Sequence, residues 1–146
     1  MADNDDLAQV GLSETANEQI TDILDKVPYF REEADLYRWG VAIALARGVT
    51  VTDAMKRQRL VNKFRVVAGP ELETENIARL DTAEGTLAKM IRCHRPEYGA
   101  DPYRQSQYLA IAGISFLHKQ LVTNELNLEQ FLDDMLAPSD SEDCAV

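Results

Sequence analysis

Seven consecutive small or apolar residues, Gly40-Val41-Ala42-Ile43-Ala44-Leu45-Ala46, constrain this chain more than any other stretch. They sit in the run EEADLYRWGVAIALAR, which reads as a helix opening near Arg31 or Glu32 and closing at Gly48. Glu32, Glu33 and Asp35 place acid at its start, where the helix dipole favours it, and Arg47-Gly48 supply a terminal cation and a C′ glycine. A helix that is apolar nearly all round must be covered on most sides. The expectation is a helix that packs and does nothing else, with Gly40, Ala42, Ala44 and Ala46 allowing close approach by a neighbour.

The residues ahead of this helix complete a unit over 7–48. Leu7–Leu12, LAQVGL, reads as a short strand. Ser13 is a good N-cap, and Ala16, Ile20, Ile23, Leu24 and Val27 recur at the spacing of an amphipathic helix that Pro28 ends. Tyr29 and Phe30 form an aromatic turn before the second helix. A lone strand leaves its edge groups unpaired, so Leu7–Leu12 must find another strand, and a second copy of the chain could supply it. The unit is therefore read as a homo-oligomer core, with Leu7, Gln9, Val10, Leu12, Trp39 and Ile43 at the interface.

Residues 49–84 are a basic segment followed by an acidic loop. Thr52 or Asp53 could cap a helix through Met55, Leu60 and Phe64; the alternative is an extended connection ending in FRVVAG as a strand. Between Arg47 and Ala68, six cations face Asp53 alone, a local net of +5. Gly69-Pro70 breaks the chain. Residues 85–137 read as C-terminal helices: one opened by Thr82 or Gly85 and closed by Pro96, one from Asp101-Pro102 to about Val122, and one capped by Asn127 and ended by Pro138. The fold class is thus mainly α, a short N-terminal strand plus two helices followed by a C-terminal helical bundle.

Charge limits the functions open to such a chain. Of the net −10, three units belong to Asp3, Asp5 and Asp6 in a tail over 1–6, and three to Asp140, Glu142 and Asp143 in a tail over 138–146. Both tails are expected to be disordered. An acidic chain is repelled by phosphate backbones, which counts against non-specific coating of nucleic acid but leaves room for a local basic patch. The start MADNDDL is not a secretory signal, no run approaches the length of a membrane span, and Cys93 and Cys144 read as two isolated thiols of a cytoplasmic protein.

No residue pattern marks an enzyme, a cofactor, a metal or a small-molecule substrate. Cys93-His94 with His118 lacks the spacing of a metal site, and adjacent Cys and His on one helix point apart. The nucleic-acid candidates are Lys56, Arg57, Arg59, Lys63 and Arg65. On a helix, Lys56, Arg59 and Lys63 would share a face able to follow a phosphate backbone. The competing reading pairs these cations with Glu71, Glu73 and Glu75. Arg31 sits at the start of the second helix, where a guanidinium and backbone amides could grip a phosphate, with Glu32 and Glu33 opposing.

The strand–Ser cap–helix–turn–helix order resembles a ribbon–helix–helix unit. GLSETANEQITDIL and EADLYRWGVAIALARG, over the first third of the chain, are similar to the DndE family of DNA phosphorothioation accessory proteins. That resemblance implies a bacterial cytoplasmic protein in antiviral defence or DNA modification. It would be a compact, non-enzymatic oligomer that binds duplex DNA through phosphate contacts or holds other defence-system proteins. The strand itself is too apolar to read bases, Gln9 being its sole polar residue. The alternative is a protein–protein adaptor or scaffold with no nucleic acid involved.

Overall fold

The structure, a computed structural model, describes residues 9–65 and 85–135, except for the side chains of Asn62, Lys63 and Arg65. Both acidic tails, Leu7, the acidic loop and Cys144 lie outside the described residues. The chain is mainly helical, with the N-terminal strand leading into two helices and the C-terminal helices following. The order is β1 (Gln9–Leu12), α1 (Glu14–Lys26), α2 (Glu33–Ala46), α3 (Asp53–Lys56), β2 (Val61–Arg65), α4 (Thr86–His94), α5 (Pro102–His118) and α6 (Leu128–Met135). A 3-10 turn over Pro96–Tyr98 precedes α5, and a π turn over Lys119–Thr123 extends it.

Helix ends follow the local chemistry. The Ser13 hydroxyl accepts from Ala16 N–H, Thr52 from Met55 N–H and the Asn127 side chain from Gln130 N–H, each satisfying an otherwise orphaned donor. Gly48 takes φ +75° just past α2, a left-handed conformation that glycine adopts without steric cost. Pro102 occupies the first turn of α5, where its missing N–H costs nothing.

The centre of the fold is the crossing of α2 and α5. At Gly40 a Cβ would come within 2.7 Å of the Ala110 carbonyl oxygen, and at Gly113 it would fall onto the Gly40 carbonyl. The two backbones touch, with no side chain between them. On either side of this point Tyr37, Val41, Ala44, Leu109, Ile114 and Leu117 are buried. The Tyr37 hydroxyl meets Ser106 Oγ at 2.5 Å, and the Ser106 hydroxyl donates to the Tyr103 carbonyl at 2.6 Å. Burial pushes the Tyr37 phenol well above its ordinary range, opposed in part by Ser106, so it stays protonated and remains the donor.

β1 finds its partner inside the chain. It pairs antiparallel with β2, Val10 opposite Phe64 and Leu12 opposite Val61, with a bulge between Val10 and Gly11. The second copy invoked from sequence is not required for this pairing. The bulge frees the Gly11 N–H, and Gln107 Oε1 of α5 accepts it at 2.9 Å. Gln107 is almost fully buried because it completes the sheet and anchors its own amide on the Arg104 carbonyl. Phe64 then stacks edge-on against Tyr37 at 5.3 Å, tying the sheet to α2.

The stretch 49–65 resolves as one helical turn and then a strand. The turn ends at Lys56 because Val61 and Phe64 are drawn into the ladder with β1, so pairing overrides the longer helix that propensity allowed. The shared helical face expected for Lys56, Arg59 and Lys63 therefore does not exist.

Because no space separates the two backbones, Gly113→Ala should be among the most damaging single-atom additions in the chain. We expect a loss of about 3 kcal/mol or more, since the clash is with rigid main chain and not with a movable side chain. Urea unfolding of the purified variant measures it. An equal change at Gly48, where nothing lies within 4 Å, should cost about 1 kcal/mol, from the φ preference alone.

Candidate functional site

α2 carries two apolar faces, and α5 covers one of them. The other is built from Trp39, Ala42, Ile43 and Ala46, residues three and four apart, with Arg38 at its edge. Met90 of α4 and Phe131, Leu132 and Met135 of α6 form the opposing walls of a groove of about 450 Å³. Ile43 and Phe131 are the buried floor, Trp39, Met90, Leu132 and Met135 are half-buried, and Ala42 and Ala46 are exposed. The expectation that α2 only packs is corrected here. Its composition is apolar all round because one face meets α5 and the other lines an open groove.

The groove walls are braced from outside. Arg47 lies over the Phe116 ring at 3.8 Å, and Phe116 in turn contacts Phe131 at 6.0 Å. Phe30 stands edge-on to Trp39 at 5.1 Å, with Tyr29 beside both. Arg38 is tied to Asp35 at 2.9 Å one turn back, so its stem flanks the groove while its charge sits at the rim. A surface this apolar, with two unbranched and polarisable methionines on its walls, suits an apolar ligand whose shape it can follow.

The residues singled out in the sequence are scattered relative to this groove. Val10 and Leu12 are fully buried in the chain's own core, and Ile43 is nearly so at the floor of the groove. Gln9 is half-buried, and Trp39 and Ile43 are the interface candidates that line the groove. Arg31, Lys56, Arg57 and Arg59 are exposed and make no ion pair among the described residues. Lys63 and Arg65 fall in β2, with side chains outside the described set. The acidic loop proposed to neutralise the cluster also lies outside it.

Among the described residues no group of three His, Cys, Asp or Glu side chains could hold a metal ion, and no helix is long and apolar enough to cross a membrane. Cys93 is disulfide-bonded, which corrects its reading as an isolated thiol. His94 contacts the Met90 carbonyl one turn back. His118 reaches Asp22 at 2.8 Å, joining α5 to α1, and Asp22 also holds Lys26 at 2.9 Å. Tyr98 accepts from Val51 N–H at 2.8 Å, and Arg95 donates to the Val49 carbonyl, so the segment after α2 is fastened to the end of α4.

No protein-family model, curated protein or solved structure matches the chain.

The Asp22 carboxyl is held below its ordinary 3.8 by its hydrogen bonds to His118 and Lys26. A depressed carboxyl stabilises the fold above its unfolded value and loses that contribution as pH falls through the folded one. The urea midpoint of the native chain should therefore exceed that of Asp22→Asn near neutrality. The gap between them should close as pH is lowered below 3.8. Parallel titrations of the two midpoints from neutral to acid pH check this.

Proposed function

We propose that this chain is a non-enzymatic cytoplasmic adaptor that docks an amphipathic helix of a protein partner in the groove between α2, α4 and α6. The observation that carries the reading is an open apolar groove with helical walls and a single charged residue, Arg38, at its edge. A helix presenting apolar residues at positions i, i+3, i+4 and i+7 matches a groove floored by another helix. Such an occupant keeps its own backbone groups satisfied while it buries side chains against Trp39, Leu132 and the two methionines.

The test places a charge on the groove wall at an exposed site. Ala42→Glu should leave the unfolding midpoint nearly unchanged, because Ala42 is open to solvent. A photoactivatable cross-linker at Ala46 identifies the protein that docks in cells. That protein, purified, should bind the Ala42→Glu chain about tenfold or more weaker, since docking would bury an unpaired carboxylate. An unaltered affinity, or no cross-linked protein at all, refutes the reading.

A second reading draws on Arg31, Lys56, Arg57 and Arg59, which are exposed and make no ion pair among the described residues. It is a DNA-associated accessory protein of a bacterial defence or DNA-modification system, in keeping with the resemblance to the DndE family. Contacts would then be to phosphate, with no base readout. Affinity for duplex DNA should fall steeply with salt, and Lys56→Ala with Arg59→Ala together should reduce the log–log slope by about 1.8. A chain that fails to bind duplex DNA even at low salt rules this reading out.

A further inference from the structure

We infer that a second cavity, between the end of α1 and the start of α6, binds a small organic cation, an amine or ammonium group carried on an apolar body. The inference is independent of the groove and of what docks there.

The cavity has a volume of about 560 Å³, a size that takes a small molecule. Leu121 is its buried floor, and Val27, Val122, Leu126 and Leu128 are half-buried around it. Tyr29, in the turn after α1, also lines the cavity and is 62% exposed. An aromatic ring left this open beside an apolar cavity offers π surface to an arriving cation.

Charge decides which head group fits. Lys26 and Glu125 are the charged side chains on the lining. Lys26 is already committed, because its Nζ holds Asp22 at 2.9 Å. The Asn127 side chain is committed as well, accepting from Gln130 N–H at the start of α6. Glu125 is exposed and makes no ion pair among the described residues. The charge left for a ligand is therefore negative, and its complement is a cation.

The backbone that carries Glu125 is fixed. Its φ is +57°, and it is the one non-glycine residue in the left-handed region among the described residues. It follows the π turn that extends α5, at the kind of helix end where glycine serves without steric cost. Asn124 N–H donates to the Lys119 carbonyl at 2.8 Å, and Leu126 N–H donates to the Gln120 carbonyl at 3.0 Å, one on each side of it. A glutamate here bears conformational strain, and what it adds over glycine is a carboxylate beside the cavity. Because the main chain is already ordered, little backbone freedom is lost when a ligand pairs with that carboxylate. The amine then meets Glu125 and the Tyr29 ring, and the apolar body is buried against Leu121 and Leu128.

The experiment titrates the full chain calorimetrically with three probes that share a phenyl body and differ in head group: phenethylamine, phenethyl alcohol and phenylpropionate. We expect the amine to bind about fivefold or more tighter than the alcohol, and the carboxylate weakest. Amide chemical shifts should move at 26–29 and 121–128. Glu125→Gln should lower the affinity for the amine to that for the alcohol and leave the alcohol unchanged. Glu125→Gly should do the same without lowering the urea midpoint, so lost binding is not lost folding. Ala42→Glu, in the groove, should leave amine affinity as it is, which separates this inference from the adaptor reading. Equal affinities for amine and alcohol overturn it, as does an amine affinity indifferent to Glu125→Gln. Shifts confined to the groove, or no binding of the amine at millimolar concentration, overturn it too.

Discussion

Contact between the backbones of α2 and α5 at Gly40 and Gly113 is the constraint on which the remaining structure depends. Two helices this close place Tyr37 against Ser106 one turn away and bring Leu36, Val41 and Ala44 into the same dry core as Leu109 and Ile114. A bulkier pair at the crossing would separate the helices and open gaps along the whole contact, at a cost that grows with the volume left empty. α5 then works as the central post. It receives β1 through Gln107, α1 through His118 and α2 through the glycine crossing, while α4 and α6 close around the far side of α2.

Local signals were legible in the sequence. Ser13, Thr52, Gly85, Asp101 and Asn127 each stand where a helix begins, and Pro28, Gly48 and Pro96 each stand where one has just ended. These follow from backbone groups needing partners within a few residues, which a short window of sequence contains. The strand β1 was legible for the same reason. Its partner was not, because Phe64 fits both a helical spacing with Leu60 and an extended run into FRVVAG. Only the arrival of β1 decides between them.

The candidate site was half legible. The apolar run in α2 announced a helix with no polar face, but burial and an open groove leave the same mark on composition. What separates them is which elements fill the space beside Ala42 and Ala46, and α4 and α6 lie far along the chain. Gln107 and Gly113 were missed for a related reason. A glutamine among apolar residues reads as a solvent-facing break, and its burial becomes intelligible only beside the unpaired Gly11 N–H. Gly113 sits one turn from Ala110 in a helix already rich in small residues, and that spacing, matched to Gly40 and Ala44, was the available sign.

The bulge in the β1–β2 ladder has a consequence for how the chain reaches this state. Its freed N–H is satisfied by a side chain 96 positions away. The strands, α1 and α2 therefore complete their hydrogen bonding only with a residue of α5. Closing so long a loop before its contacts reward the entropy lost is slow. The native partner of the Gly11 N–H exists only once α5 has been synthesised. Completion of the ladder is thus tied to a long-range contact, and not to the N-terminal residues alone.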